Sequence, residues 1–148
     1  MKYISLGFTG TRKGMSKAQK QTFADLLMDL PVREFHYGNC YGADLEALSI
    51  LESFMPSLYV ISHPATITKS PLQGDLIKGR KKPLSRNTDI VLASDLLIAA
   101  PKGYKEEKRS GTWATIRRAR KNNVETKILN PDGTVTYLSS IPENIPHA

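Results

Sequence analysis

Short apolar runs alternate along the chain with longer segments in which apolar residues recur every three or four positions. Residues 3–8 form the first apolar run, which is typical of a buried strand. Ser16 opens a capping-box pattern, and the apolar spacing after it predicts a helix that ends at Pro31. The alternation continues, with strands predicted at 34–37, 58–62, 96–100, 125–129 and 134–138 and helices predicted at 43–54, 83–93 and 111–122.

Strands that alternate with helices predict a mostly parallel sheet with right-handed crossovers. We therefore expect an α/β fold, a Rossmann-like three-layer sandwich with a sheet of about five strands and helices on both faces. The fully apolar run 96–100 is expected at the centre of the sheet, and 134–138 at its edge. We expect one domain over residues 1–138 and an irregular tail at 139–148, since a domain spans roughly 100–200 residues.

The connections between these elements indicate where a ligand would bind. In open α/β sheets, ligands bind beyond the carboxyl ends of the strands. The loops after 3–8, 34–37 and 96–100 are therefore the expected ligand-binding segments. A long loop is also predicted at 63–82, and loops of that length in compact domains are often functional lids.

The loop after the first strand combines glycines with two threonines and an arginine. Glycine lets backbone N–H groups approach an anion, while hydroxyl groups and a planar guanidinium donate hydrogen bonds to phosphate oxygens. The spacing is neither that of a P-loop nor G-x-G-x-x-G. A tight turn that needs glycine explains the same residues equally well. The candidate phosphate-binding residues are Thr9, Gly10, Thr11 and Arg12.

The loop after the second strand runs through Gly38 and Gly42 into a predicted helix, with Asp44 in the first turn. A helix N-terminus has free N–H groups and a positive dipole, which favour a bound anion. Asp44 either meets a ribose hydroxyl, acts in proton transfer, or only complements the helix dipole. Glu46 lies about 200° further around the helix, so we expect no carboxylate pair between the two.

The loop after 96–100 leads into the last predicted helix. Ser110 can cap this helix, and Gly111 and Thr112 offer N–H and hydroxyl groups at its positive end. Trp113, the only tryptophan, either stacks on a base or packs in the core.

Positive charge is concentrated in the second half of the chain. The formal net charge is +7, and 14 of the 21 Lys and Arg residues lie between Lys69 and Lys121. Such an excess raises the local concentration of anionic ligands. Arg86 and Asn87, in the helix predicted at 83–93, either reach a phosphate or are plain surface residues. Aromatic residues are not interleaved with the basic clusters as a stacking surface for single-stranded nucleic acid requires.

The residue content disfavours several other kinds of chemistry. Cys40 is the only cysteine, which excludes an intrachain disulfide. The three histidines are scattered without metal-ligand spacing. No apolar run approaches the ~18 residues of a membrane span. We therefore expect a cytoplasmic protein with no metal, no cofactor and no membrane partner.

Four motifs occur in order at the predicted junctions: GFTGTR at 7–12, GNCYGAD at 38–44, RN at 86–87 and SGTW at 110–113. Together they resemble the SLOG superfamily of Rossmann-like nucleotide-binding domains, which includes the Lonely Guy phosphoribohydrolases and the Smf/DprA DNA-processing proteins. The likeness spans residues 3 to 130 and is to small bacterial and phage members rather than to a named enzyme.

The resemblance implies a nucleotide or nucleotide-derived ligand and, by analogy, a homo-oligomer. It implies that residues 9–12 line the site, that Gly42 and Asp44 approach from the second loop, and that Gly111 and Thr112 bind phosphate.

The chain departs from the phosphoribohydrolase pattern, because Thr115 stands where those enzymes carry a glutamate and Arg109-Ser110 replaces a doubled glycine. One function class is therefore a protein that binds a phosphorylated nucleotide or a nucleotide-derived signalling molecule and sequesters it without turnover. The alternative is an N-glycosidase on nucleoside monophosphates, in which Asp44 supplies the carboxylate and Arg12 holds the 5′-phosphate. Single-stranded nucleic-acid binding by the basic loops ranks below both.

Overall fold

The computed structural model describes residues 2–138. In chain order, the elements are β1 (Ile4–Gly10), α1 (Lys17–Leu27), β2 (Val32–Tyr37), α2 (Ala43–Phe54), β3 (Tyr59–Ser62), β4 (Leu76–Ile77), α3 (Pro83–Ala93), β5 (Leu96–Ala100), α4 (Gly111–Lys121), β6 (Glu125–Leu129) and β7 (Val135–Leu138). The tail predicted at 139–148 lies outside the described residues.

The strands form one seven-stranded sheet in the order β4-β3-β2-β1-β5-β6-β7. Every neighbouring pair is parallel except β6 and β7, which are antiparallel. Helices α1 and α2 pack on one face of the sheet, and α3 and α4 pack on the other. The predicted α/β three-layer fold is therefore confirmed, with seven strands in place of about five.

Two details of the sheet differ from the sequence-based expectation. The loop predicted at 63–82 contains β4, whose two residues are too few to produce a recognisable periodicity. Strand β1 continues beyond residue 8, since Thr9 and Gly10 pair with Ala99 and Ala100 of β5. These two candidate residues therefore belong to the end of a central strand rather than to a free loop.

Three helices begin at residues that suit a helix N-terminus. In two of them a serine side chain accepts a hydrogen bond from a free backbone N–H, and in the third a proline, which has no N–H, occupies the first position. Ser16 Oγ accepts a hydrogen bond from the backbone N–H of Gln19, whose side chain accepts one from the N–H of Ser16, so the capping box is confirmed. Pro83 begins α3, where its fixed φ suits the first turn. Ser110 Oγ accepts from the N–H of Trp113 at 3.2 Å and caps α4.

The centre of the sheet is also the point at which its strand order reverses. All five residues of β5 are buried, as is the middle of β1, and Phe8 packs edge-to-face on Phe23 with ring centroids 5.4 Å apart. Strands β2 to β4 are added one after another on one side of β1, and strands β6 and β7 are added on the other side of β5. A crevice opens at such a switch point, beyond the carboxyl ends of the two strands.

No helix between residues 2 and 138 combines the length and the apolar character needed to cross a membrane.

Candidate functional site

A cleft of about 560 Å³ opens at the carboxyl ends of β1, β2 and β5. It lies at the edge of the sheet where the sequence predicts the ligand, and all but two of the candidate residues line it. Those that line it are Thr9, Gly10, Thr11, Arg12, Gly38, Asp44, Arg86, Asn87, Ser110, Gly111 and Thr112.

The first two loops are joined at the backbone of Thr11. Its N–H donates to the carbonyl of Ala100 at 3.0 Å, and its own carbonyl accepts from the N–H groups of Gly14 at 3.1 Å and Ala43 at 3.0 Å. The turn that carries Arg12 is therefore tied to β5 and to the start of α2. This leaves the Arg12 side chain exposed on a fixed backbone.

Gly42 is one of the two candidates that do not line the cleft. Its φ is +85°, which side-chain-bearing residues rarely adopt, and a Cβ there would collide with the carbonyl group of Arg12. Gly42 therefore lets the second loop pack against the first, which is a structural role rather than a ligand contact.

Asp44 lies in the first turn of α2 with only 4% of its surface exposed, and it lines the cleft. Its Oδ2 accepts a hydrogen bond from the N–H of Cys40 at 3.1 Å. Burial raises the pKa of Asp44 to about 6, because desolvation disfavours the charged carboxylate. The Cys40 N–H and the positive charge of Arg86 oppose this rise without cancelling it.

Glu46, two residues further, faces a different partner from Asp44, as expected. Its carboxylate accepts from the N–H of Met15 at 2.6 Å and pairs with Lys20 at 3.1 Å. It therefore fixes the segment after the first loop and forms no part of the cleft.

Arg86 is buried, so the alternative of a plain surface residue is wrong for it. Its guanidinium donates to the carbonyl of Gly38 at 2.9 Å, to the carbonyl of His63 at 3.0 Å and to Oδ1 of Asn87 at 2.8 Å. Asn87 is also buried, at 8% exposure. Arg86 thus joins α3 to the ends of β2 and β3 and puts a positive charge in the cleft wall.

The start of α4 forms the opposite wall. The N–H groups of Gly111 and Thr112 lie in the first turn, which is the positive end of the helix dipole. A Cβ added at Gly111 would meet nothing within 4 Å, so the backbone there is open to a ligand. The hydroxyl of Thr115 donates back to the carbonyl of Gly111 at 3.0 Å and supports the turn from within the helix.

Trp113 is the second candidate that does not line the cleft. It is 6% exposed and packs with Ala99, Ile116 and Ile128 between α4 and the sheet. Among the residues described, its Nε1 has no hydrogen-bond partner. The core alternative is therefore correct for this tryptophan, and stacking on a ligand base is not available to it.

The cleft also contains residues that the sequence patterns did not single out as candidates. Lys13 and Cys40 line it beside the first two loops, and Lys102, Glu107 and Arg109 line it from the charged loop before α4. Lys102 Nζ lies 3.7 Å from Glu107 Oε1, the one acidic side chain that this loop contributes to the cleft. The uneven distribution of basic residues was the available signal for Lys102 and Arg109, and nothing local marks Glu107.

Two of the scattered histidines meet in space behind the cleft. His36 Nδ1 lies 2.9 Å from His63 Nε2, and His36 Nε2 lies 3.2 Å from Glu34 Oε1. Burial lowers the pKa of both imidazoles, that of His63 to about 4. The pair is therefore neutral near pH 7. Within residues 2–138, no group of three His, Cys, Asp or Glu side chains is arranged to hold a metal ion.

The long segment 63–82 is held against the sheet in part by Asn39, which belongs to the motif at 38–44 and was not among the candidate site residues. Asn39 has a φ of +59°, and its Oδ1 accepts from the hydroxyls of Tyr37 at 2.8 Å and Ser62 at 2.9 Å and from the N–H of Gln73 at 2.8 Å. The segment is therefore anchored to the ends of β2 and β3 in this structure. Of its residues, none lines the cleft.

No protein-family model matches the sequence, and no curated protein matches it significantly. Among solved structures, the chain is similar in fold to the molybdenum cofactor binding protein from the phototrophic bacterium Rippkaea orientalis, with a TM-score of 0.60 and 20% sequence identity. The similarity covers 88% of this chain and 78% of that chain. At this level of identity the likeness concerns the fold.

Proposed function

We propose that the cleft binds a phosphorylated nucleotide or a nucleotide-derived signalling molecule and sequesters it without turnover. The observation that carries the proposal is the convergence of residues 9–12 and 110–112 on one cavity of about 560 Å³. That volume falls in the range of small-molecule sites, which is roughly 300–1,000 Å³. It suits a ligand the size of a nucleotide better than a free phosphate ion.

The charge of the lining supports an anionic ligand. Arg12, Lys13, Lys102 and Arg109 line the cleft together with the buried Arg86, and within residues 2–138 two acidic side chains line it as well. The first turn of α4 adds free N–H groups and the positive end of a dipole, which is the usual backbone environment of a bound phosphate. We therefore assign the phosphate to this turn and the neutralising charge to Arg12.

The residue at position 115, in the first turns of α4, favours sequestration without hydrolysis. Thr115 occupies the position at which the phosphoribohydrolases of the SLOG superfamily carry a glutamate, and its hydroxyl is engaged with the carbonyl of Gly111. The helix thus offers phosphate-binding groups without that acid. The four motifs resemble those of the SLOG superfamily, whose domains bind nucleotides. This resemblance supports a nucleotide as the ligand.

A second candidate function, N-glycosidase on nucleoside monophosphates, is favoured by one observation. Asp44 lies in the cleft, and its pKa of about 6 leaves it mostly ionised at pH 7. A carboxylate there could stabilise the positive charge that develops on a ribose as the glycosidic bond breaks. The two candidates share the ligand class and differ in whether the base is released.

Titration calorimetry with a panel of nucleoside monophosphates and the matching nucleosides tests the binding. We expect the phosphorylated form to bind at least ten-fold more tightly, and Arg12→Ala to weaken it by ~1.5–3 kcal/mol, the usual worth of a charged hydrogen bond. Arg33→Ala is the matched control, because this exposed arginine packs over Tyr3 outside the cleft. Equal affinities for nucleotide and nucleoside would overturn the proposal.

Mass spectrometry of any small molecule that co-purifies with the protein identifies the ligand class independently, and would reveal a cofactor such as that of the Rippkaea orientalis protein. Chromatography of the same incubations decides between the two candidates. Free base that appears with the wild type and not with Asp44→Asn supports the glycosidase, and intact nucleotide supports sequestration. Tight binding of oligonucleotides with a steep salt dependence would instead support the nucleic-acid interpretation.

A further inference from the structure

A second cavity of about 380 Å³ lies between α3 and α4, and we call it the basic groove. Among residues 2–138, four cationic side chains and no acidic one line it, together with two apolar residues and one amide. Its lining residues are Leu84, Asn87, Lys108, Ala114, Arg117, Arg118 and Lys121. None of the functional assignments above involves this cavity.

The cations of the basic groove are only partly neutralised by the protein. Arg117 pairs with Glu106 at 2.9 Å and donates to two loop carbonyls. Lys108, Arg118 and Lys121 form no ion pair with any residue between 2 and 138. Like charges gathered around one cavity repel each other, so an anion bound among them gains interaction energy.

The helix dipole explains only part of this arrangement. Arg118 and Lys121 lie in the last turn of α4, where cations are favourable. Lys108 lies before the N-terminus of the same helix, where the dipole disfavours a cation. The dipole therefore accounts for Arg118 and Lys121 and does not account for Lys108, the third cation of the groove that is unpaired among the described residues.

Asn87 connects the basic groove to the cleft, because it lines both cavities. Its side chain is held by the guanidinium of Arg86, whose Nε donates to Asn87 Oδ1 at 2.8 Å. The two cavities therefore share Asn87 as a lining residue, and the apolar part of the groove lining is Leu84, which is 62% exposed, and Ala114.

Resting on the function proposed above, we propose that the ligand carries two separated phosphate groups, one bound in the cleft and the other in the basic groove. The fitting chemical class is a linear dinucleotide, whose second nucleoside would lie against the two apolar residues of the groove. A long single strand fits less well, because no aromatic side chain in the described part of the chain lines the groove for base stacking.

The test compares AMP with the dinucleotide pApA, each titrated against the wild type, Arg118→Glu and Arg120→Glu. Arg120 is the matched control, since it lies on the same helix, undergoes the same charge change and does not line the groove. We expect pApA to bind the wild type at least ten-fold more tightly than AMP. Arg118→Glu is expected to remove this advantage and leave AMP affinity unchanged, while Arg120→Glu retains it.

Equal wild-type affinities for AMP and pApA, or equal effects of the two substitutions, would overturn the inference while the proposed function stands. Affinity that keeps rising from pApA to a decanucleotide would overturn the proposed function together with the inference. A change in molecular mass by light scattering in Arg118→Glu alone would also overturn the inference and assign the groove to a contact between copies. If AMP fails to bind while pApA binds and its binding depends on Arg118, the assignment of a phosphate to the groove is retained. The assignment of a phosphate to the cleft is then overturned. If neither binds, both proposals are overturned.

Discussion

Nη1 of Arg86 lies 2.9 Å from the carbonyl oxygen of Gly38, and both residues line the cleft. The approach is close enough that a Cβ on Gly38 would lie 2.6 Å from the same nitrogen. Glycine is therefore required at position 38 by the buried guanidinium, and the guanidinium in turn satisfies a carbonyl at the end of β2. The pair sets the distance between α3 and the second loop.

The first prediction concerns this pair. Gly38→Ala is expected to lower the free energy of unfolding by roughly 1–3 kcal/mol, the usual cost of overpacking a filled site. Denaturant unfolding followed by circular dichroism measures the change. Gly103→Ala is the control, because a Cβ at Gly103 meets nothing within 4 Å. Equal stabilities of the two variants would contradict the role given to Gly38.

The second prediction concerns the pH dependence contributed by Asp44. Its folded pKa of about 6 lies above the ordinary value of 3.8, so the folded state binds more protons than the unfolded state between these values. This carboxyl therefore lowers stability as pH rises from about 4 to 6. Relative to the wild type, Asp44→Asn is expected to gain up to about 3 kcal/mol of stability across that window.

Unfolding curves at several pH values between 4 and 7 measure this difference. The amide oxygen of asparagine still accepts the N–H of Cys40, which limits the structural disturbance. Asp29→Asn, at an exposed position after α1, makes the same chemical change outside the cleft and is the control. A constant difference between Asp44→Asn and the wild type would contradict the raised pKa.

The third prediction has the opposite sign and concerns the histidine pair. The pKa of His63 is lowered to about 4 by burial and by the adjacent His36, so the folded state binds fewer protons than the unfolded state between pH 4 and 6.5. Its contribution to stability is therefore present above pH 6.5 and lost as pH falls towards 4. His63→Gln is expected to flatten this part of the pH profile.

Because Asp44 and His63 act in opposite directions over the same pH range, the wild-type profile alone does not separate them. The variant Asp44→Asn isolates the histidine contribution, and its stability is expected to fall steadily from pH 6.5 to 4. If the stability of Asp44→Asn stays level over that range, the histidine pair does not titrate as described.

The fourth prediction concerns the acidic side chain in the cleft. Glu107 pairs with Lys102 at 3.7 Å and competes with an anionic ligand for that cation. Glu107→Gln is expected to tighten AMP binding several-fold in titration calorimetry. Glu106→Gln is the matched control, since Glu106 pairs with Arg117 and does not line the cleft. An equal gain in both variants would show a general charge effect instead.

The fold could be predicted from the sequence wherever local signals were strong. The helix predicted at 83–93, which begins at Pro83, and the strand predicted from the uninterrupted apolar run 96–100 have the same bounds in the structure. The alternation of strands and helices also predicted that the loops at the carboxyl ends of the strands would line the site. Strand β4 was missed because its pairing with β3 stabilises two residues that carry no pattern of their own.

The sequence did not predict which way the side chains of the candidate site point, and this limited how much of the site could be predicted. The position of Trp113 at a helix start does not tell whether it faces the cleft or the sheet, and packing against Ile116 and Ile128 decides that. The meeting of His36 with His63 joins residues far apart in sequence, through the register of β2 and β3. Such contacts depend on tertiary geometry, for which a single sequence carries no local signal.

The side-chain amide of Asn39 affects how easily the segment 63–82 detaches from the sheet. Its side chain ties the excursion 63–82 to the sheet through Ser70 and Gln73, in addition to the pairing of β4 with β3. Little regular secondary structure protects that excursion, yet it cannot detach without breaking a buried cluster at the ends of two strands. Limited proteolysis should therefore spare it in the native protein, and Asn39→Ala should expose it to cleavage long before the rest of the chain unfolds.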